Sequence, residues 1–381
     1  METNLFDRLK RVDLLLIILP AILGLIGILV IGSVTSDEVD YPRDIYVQAL
    51  SFGMGYALLA LAARFDIEHF SKFYRIIWLL SLIIQLSVFV PFLGLERYGS
   101  RAWIDLGFTT MQPSELVKIT FTIALAAYLK KHREELGSLI GFIRALLFAA
   151  PVIGLVAFID MGAGIVIAVI FIGMVFAAGI RGSLFLRIVG VVVLLFPIGY
   201  RFLEDHQKQR FVAFLHPEDT TIKETFQLHQ SMLAIGSGGI RGKGLGNGTI
   251  KEFLPVAESD FIFSVICEEL GFLGGFLVIG LFFVLLTRIW RAVADAKEYF
   301  SGLLCVGFMC MFGFQIFENI GMTIGIMPIT GITLPFVSAG GTSVMANMIA
   351  IGLIAGCGMR SRERTYKHVD SETAPGIPIH R

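Results

Sequence analysis

Leu254–Gly271 reads LPVAESDFIFSVICEELG, and it passes from a polar stretch directly into an apolar helix. Asp260 stands at the junction, followed at once by Phe261, Ile262 and Phe263. Its position fits a helix N-cap, because Asp before an apolar run is a common start signal. A cap and a working carboxylate are compatible roles. Glu268 and Glu269 come two turns later, inside the apolar run. A charge at mid-membrane costs several kcal/mol on insertion scales, so such a residue faces a cavity or a partner. The helical repeat puts Glu268 on a face similar to that of Asp260. A structural ion pair is the favoured reading for both glutamates.

The chain before Asp260 is the second clue. Arg201–Asp260 is mostly polar and holds Arg210, Gln227, Gln230, Ser231, the run Gly236-Ser237-Gly238-Gly239, then Gly242, Gly244 and Gly246. Connections between elements are typically ~4–6 residues, so a loop this long is read as a working surface. Thr225–Ile235 fits a short helix with Phe226, Leu228 and Leu233 as apolar contacts. The glycines after it cost ~1 kcal/mol each in a helix relative to Ala. They predict a turn-rich loop with backbone amides available.

Everything outside this loop reads as membrane helix. Hydrophobic residues make up 55% of the chain and charged residues only 16%, against about 25% charge in soluble domains; mean hydropathy is +0.77. A helix needs ~20 apolar residues to cross the hydrocarbon core. About ten candidates follow, at Leu14–Ile31, Ile45–Ala63, Tyr74–Leu93, Leu116–Leu129, Ile140–Ile159, Ile165–Ile180, Leu184–Tyr200, Phe261–Leu286, Gly302–Gly325 and Val344–Cys357. The expected fold is an all-α polytopic membrane protein, one domain over 1–381, with the large loop 201–260 between helices 7 and 8. The first stretch has no small-residue cleavage site and is read as an uncleaved helix. The polar tail 361–381 is expected to be disordered.

Net charge is zero, but its distribution sets an orientation. With the N-terminus cytoplasmic, inside segments carry Arg8, Lys10, Arg11, Arg64, Lys72, Arg75, Lys130, Lys131, Arg133, Arg181, Arg288, Arg291, Lys297 and the basic tail. Short outside loops carry only Arg43, Arg97 and Arg101. The positive-inside rule then puts both termini inside and the long loop outside, since long loops translocate regardless of charge. Cys267, Cys305, Cys310 and Cys357 all lie in apolar segments and are read as packing residues.

Three further clusters fall on the same outer side. Gly99-Ser100-Arg101-Ala102-Trp103 precedes Gln112-Pro113-Ser114-Glu115 and Lys118. Pro113 marks a helix start, and Glu115 and Lys118, spaced i,i+3, share a face and can self-neutralise. Trp103 also suits an aromatic-belt anchor. Asp160-Met161-Gly162 ends one helix. Asn319–Thr323, Pro328, Pro335 and Ser338–Ser343 read as a re-entrant or tightly folded loop, tolerated at that depth only where it lines a cavity or is buried. Arg101, Lys118 and Arg210 with Asp160 and Asp260 suit a lipid-linked anionic substrate such as a polyprenyl diphosphate sugar. Generic ion pairing would give much of the same pattern.

Read in order, Gly99–Ile104, Gln112–Glu115 with Lys118, Gln230-Ser231 with Ala234–Gly239 and Gly242–Gly244, Leu254-Pro255 with Asp260–Phe263 and Glu268–Gly271, and Leu334–Phe336 with Ser338, Gly340 and Gly341 resemble the SEDS family (shape, elongation, division, sporulation). The resemblance implies a peptidoglycan glycosyltransferase that polymerises lipid II on the outer face of the bacterial cytoplasmic membrane. It implies a class B penicillin-binding protein, a transpeptidase, as partner, along with other membrane proteins of an elongation or division complex. Nucleic acid is not an expected partner. The family's essential aspartate falls on Asp260. Val256–Ser259 and Ser338-Ala339-Gly340-Gly341 depart from the usual family wording. Asn319–Gly325 resembles RodA and Gly244–Gly248 leans towards FtsW and SpoVE; a RodA-like member is expected.

A diphosphate leaves as a stable anion, so one base plus positive charge suffices where glycosidases need two carboxylates. Asp260 is the expected base. Arg101, Lys118 and Arg210 are assigned to the phosphates, with Glu115 orienting Lys118. Trp103, Asp160, Gln230, Ser231 and Ser338 complete the expected substrate site. A divalent cation such as Mg could share the charge, though no metal site is evident. The competing readings are a lipid II flippase, which needs polar residues along a full transmembrane path, and a non-catalytic scaffold for wall assembly.

Overall fold

A computed structural model describes residues 12–35, 41–91, 93–97, 100–105, 107, 110–201, 205–216, 223–249, 253–254 and 256–373. Arg8, Lys10, Arg11, Gly99, Pro255 and residues 374–381 of the sequence reading lie outside them.

Twelve principal helices carry the described chain: α1 (Leu14–Val34), α2 (Tyr41–Arg64), α3 (Tyr74–Leu86), α4 (Pro113–Lys131), α5 (Leu139–Ile159), α6 (Met161–Ala177), α7 (Gly182–Arg201), α8 (Asp205–Leu215), α9 (Lys223–Ser237), α10 (Ile262–Ala294), α11 (Tyr299–Thr323) and α12 (Gly341–Thr373). Seven membrane-length apolar segments are found among the described residues, plus the shorter α6. Each of the ten expected spans falls on one of these helices. The chain is therefore a polytopic helical membrane protein. Local signals set the helix starts. Asp13, Ser138 and Asp160 each accept a backbone amide as N-cap of α1, α5 and α6, and Pro113 opens α4.

α4 is the hub. From Pro113 to Leu129 only Leu116 and Thr120 escape full burial, and the helix packs on α3, α6, α11 and α12. A helix covered on all sides belongs in the core. α2 packs along α12 because the contact is lined with glycine. A Cβ on Gly352 would come within 2.4 Å of Leu59 O, and one on Gly356 within 2.7 Å of Ala63 O. Small residues let membrane helices approach this closely.

The structure adds three features to the expected architecture. The stretch 201–260 contains α8 and α9; α9 includes the short helix expected at Thr225–Ile235 and runs through Gly236 to Ser237 before the glycine turns begin. The fold is not purely helical: β1 (Gly94–Arg97), β2 (Ser100–Asp105) and β3 (Thr110–Met111) form a small antiparallel sheet with Leu95 opposite Trp103 and Ile104 opposite Met111. Ala102 and Ile104 are buried and alternate with Arg101 and Trp103, the period-2 pattern of a half-buried strand. Finally, α12 continues as helix to Thr373.

The glycine turns have a structural job. α10 breaks at Gly271, with φ 70° and ψ −168°. The turns fill that break. Lys243 N donates to Glu268 O at 3.0 Å, Gly244 N to Glu269 O at 2.9 Å, and in return Phe272 N donates to Gly239 O at 2.8 Å. The amides expected to be available are thus spent on capping a broken helix. Gly242 has φ +80°, and a Cβ there would meet Glu269 O at 2.2 Å. Gly242→Ala is expected to cost at least the ~1–2 kcal/mol of a left-handed L-residue, and a lowered thermal midpoint in detergent would register it. An unchanged midpoint would mean the loop is not docked on α10.

Candidate active site

The end of the bundle where α5 stops and α10 starts holds a cleft of about 510 Å³. Its walls come from β2, the α5–α6 junction, α8, α9, the turn before α10 and the segment before α12. Arg101, Trp103, Asp160, Arg210 and Asp260 all line it. The irregular segment from Ile329 to Gly340 forms one wall, and Ile332, Leu334, Phe336 and Val337 within it are buried. This segment is the tightly folded loop expected of the run holding Pro328 and Pro335, whereas Asn319–Thr323 is the end of α11.

Asp260 does not cap α10. The cap position is Phe261, with no side-chain cap bond, so the carboxylate is left to the cleft. A tight turn presents it: Ser259 N and Asp260 N both donate to Val256 O at 3.1 Å. Val256 sits at φ 60°, a genuine outlier for a β-branched residue. Such strain persists only where neighbours over-determine the backbone, and here they do. Asn319 Nδ2 donates to Asp260 O at 2.9 Å and to Ile332 O at 2.8 Å. Ala339 N donates to Glu258 O at 2.9 Å, and Ser338 Oγ donates to Ser259 O. Ser259 Oγ donates to Asp260 Oδ1 at 2.9 Å.

The electrostatics are mixed. Burial pushes the Asp260 carboxyl above the usual carboxylate range, with the Ser259 hydroxyl and Arg210 pulling the other way and Asp160 adding to the rise. Burial likewise raises Asp160, whose Oδ1 accepts from Ala163 N at 3.1 Å and whose Oδ2 accepts from Gln112 Nε2 at 2.8 Å. Arg210 is held by Thr330 O, to which its Nη1 donates at 3.0 Å. Arg101 is exposed on β2. The cleft therefore pairs a carboxylate of raised basicity with two guanidinium groups.

Other expected site residues are elsewhere. Lys118 and Glu115 pair at 2.8 Å with side chains 2% and 7% exposed; they do not line the cleft wall but lie within electrostatic reach of Asp160. Ser231 Oγ bonds Ser264 Oγ at 2.6 Å and donates to Thr323 O at 2.8 Å, tying α9 to α10 and α11. Ser338 holds the Asp260 turn, accepting from Leu334 N at 2.8 Å, without lining the cleft. Gln230 is half-buried on α9 and does not line it either. Glu268 is an ion-pair residue: Lys243 Nζ lies 2.6 Å away and Thr249 N donates at 2.8 Å. Ser33 Oγ donates to Glu269. The same-face reading put Glu268 with Asp260, but the glycine turns cover it. Gln207, Lys223 and Thr330 line the cleft unforeseen, and Gln112, Thr342 and Ser343, expected only as parts of outer-side clusters, line it too. Among the described residues, no group of three or more His, Cys, Asp or Glu is placed to hold a metal ion.

Fold and site together define a polytopic membrane protein with a carboxylate–guanidinium cleft at one end of its helix bundle. The family model named for FtsW, RodA and SpoVE, described as "Cell cycle protein", matches residues 11–363. The chain belongs to that family, the SEDS proteins. The probable peptidoglycan glycosyltransferase FtsW of Coxiella burnetii is 35% identical over 87% of this chain and 91% of its own. Stage V sporulation protein E of Bacillus subtilis is 33% identical over 92% and 98%. Among solved structures, a chain of a peptidoglycan synthase complex that coordinates polymerization and crosslinking superposes with TM-score 0.77 at 28% identity, covering 93% of this chain and 98% of that one. The rod shape determining protein RodA of Thermus thermophilus gives 0.67 at 28%, covering 93% and 97%. Relatives and structures divide between FtsW, SpoVE and RodA, as the motifs do.

Proposed function

We propose that this protein is a peptidoglycan glycosyltransferase that polymerises lipid II at the outer face of the cytoplasmic membrane. The observation that carries this is the convergence of Asp260, Arg210 and Arg101 on one cleft. An acceptor sugar hydroxyl attacks the anomeric carbon of the donor. The new C–O bond forms as the bond to the polyprenyl diphosphate breaks, and Asp260 takes the hydroxyl proton. Arg210 and Arg101 stand where the diphosphate gains charge, and preorganised charge at that place is usually the largest catalytic term. Asp160, held by Gln112 and Ala163, shapes the donor wall. The positive-inside pattern supports cytoplasmic termini and an outward cleft. The partner is a class B penicillin-binding protein that cross-links the strands, a reading supported by the likeness to a synthase complex.

Glycan strands formed from lipid II by the purified protein with its cognate transpeptidase, and none with heat-inactivated protein, are the expected result. No strands under any condition would sink the reading. Asp260 acts deprotonated, so activity falls as pH drops through its raised pKa. The acid limb of the rate–pH profile is expected above the ordinary carboxylate range (~3.9 for Asp). A limb within that range would remove Asp260 as the group observed. Asn319–Gly325 and the RodA structural likeness favour an elongation role. Depletion is then expected to give rounded cells, and filaments would assign the protein to division instead.

A further inference from the structure

Glu318 is an unexplained carboxyl. It lies inside α11, fully buried, one residue before the Asn319 that clamps the Asp260 turn. Its Oε1 accepts from Thr330 Oγ1, while Oε2 has no hydrogen-bond partner among the described residues. A buried polar group left half satisfied destabilises the fold, so a hydrophobic residue here would serve packing better. Its contacts run to the cleft. Thr330 lines the cleft and is the residue whose carbonyl receives Arg210 Nη1. The next residue, Gly331, has φ +75° and lies so close to the carboxylate that a Cβ would be 3.4 Å from Asp260 Oδ2. Residues 330–331 thus touch the base and the guanidinium at once, and Glu318 grips their one hydroxyl from behind.

We infer that Glu318 is a positioning residue of this cleft: by holding Thr330 it sets Arg210 against Asp260. The inference rests on the transferase reading above and adds to it a residue that touches no substrate. Glu318 and Asn319 then act from consecutive positions on α11, one holding residue 330, the other residues 260 and 332. Asp260 and Arg210 are the charged groups that face Glu318.

The test is lipid II polymerisation by the full chain with its transpeptidase partner, comparing Glu318→Val, Glu318→Gln, Thr330→Val, the Glu318→Val/Thr330→Val double variant and Asp260→Asn. The amide oxygen of Glu318→Gln can still accept from Thr330, so it is expected to stay within about 2-fold of wild type. Glu318→Val and Thr330→Val are each expected to lose about 10-fold in kcat with KM little changed, and the double variant no more than either alone, because coupled residues are non-additive. Thr330→Val lies on the cleft wall and keeps the side-chain shape, so it reports even where Glu318→Val fails to fold. Wild-type kcat in Thr330→Val, losses that multiply in the double variant, or a loss in Glu318→Gln as large as in Glu318→Val would each overturn the inference. If Asp260→Asn is inactive while Thr330→Val is normal, only the positioning role falls. If Asp260→Asn is active, another group is the base and the positioning role falls; if wild type itself makes no strands, the transferase reading falls.

Discussion

Asp260→Asn is expected to leave the protein folded and to cut glycan-strand formation by ~10²–10⁴-fold, the usual contribution of a general base. The substitution is isosteric. The bonds that fix the turn, from Asp260 N to Val256 O and from Asn319 Nδ2 to Asp260 O, are made by the backbone of residue 260 and survive it. Ser259 Oγ can still donate to the amide oxygen. What is lost is the ability to accept a proton. Because Asp260 does not cap α10, the change costs no helix cap, so activity and stability separate cleanly. The measurement is polymerisation of lipid II by wild type and variant, with thermal melting of both in detergent. Equal product from the two would mean that another group is the base. A collapsed melting curve would mean that Asp260 is structural.

Lys118→Ala is expected to destabilise the protein by ~3–5 kcal/mol, the cost of leaving one member of a buried ion pair uncompensated. Lys118 Nζ lies 2.8 Å from Glu115 with both side chains almost wholly buried in α4, the helix at the centre of the bundle. From sequence the lysine is a phosphate ligand. Its place in the core makes it the counter-ion of Glu115, the pairing that its i,i+3 spacing also allows. Adding Glu115→Gln to Lys118→Ala removes the stranded charge and is expected to recover most of the loss, because replacing both members of such a pair is far milder than removing one. Thermal midpoints of the two single variants and the double variant in detergent decide the matter. A Lys118→Ala protein that melts like wild type but binds donor poorly would restore the ligand role.

The sites that sequence reading found are those with a chemical signature and a position. Asp260 announces itself as a carboxylate at a polar-to-apolar junction. Arg101, Trp103 and Asp160 announce themselves as charged or aromatic residues between apolar runs. Lys118 and Ser231 carry the same kind of signature and lie elsewhere. A charged or hydroxylated side chain in an apolar helix looks alike in sequence whether its partner is a ligand or another helix. Thr330, Thr342 and Gln112 line the cleft with side chains of no special chemistry, so only their neighbours in space distinguish them. Glu318 was hidden for the same reason. Within FENIGM it reads as one more polar residue, and its meaning comes from Thr330 folding back onto it.

By itself, the sequence determined the class of the protein, the placing of its membrane helices, the family and two carboxylates of the cleft, Asp160 and Asp260. These depend on hydrophobic runs, on charge and on contiguous motifs, which are local properties of the chain. The tertiary structure alone decided that the glycine turns dock into the break at Gly271, that neighbouring helices bury the Glu115–Lys118 pair, and which hydroxyls and guanidinium groups surround Asp260. Each of these depends on segments far apart in the chain meeting across helices. A polar side chain buried in a bundle takes its role from the partner it meets there.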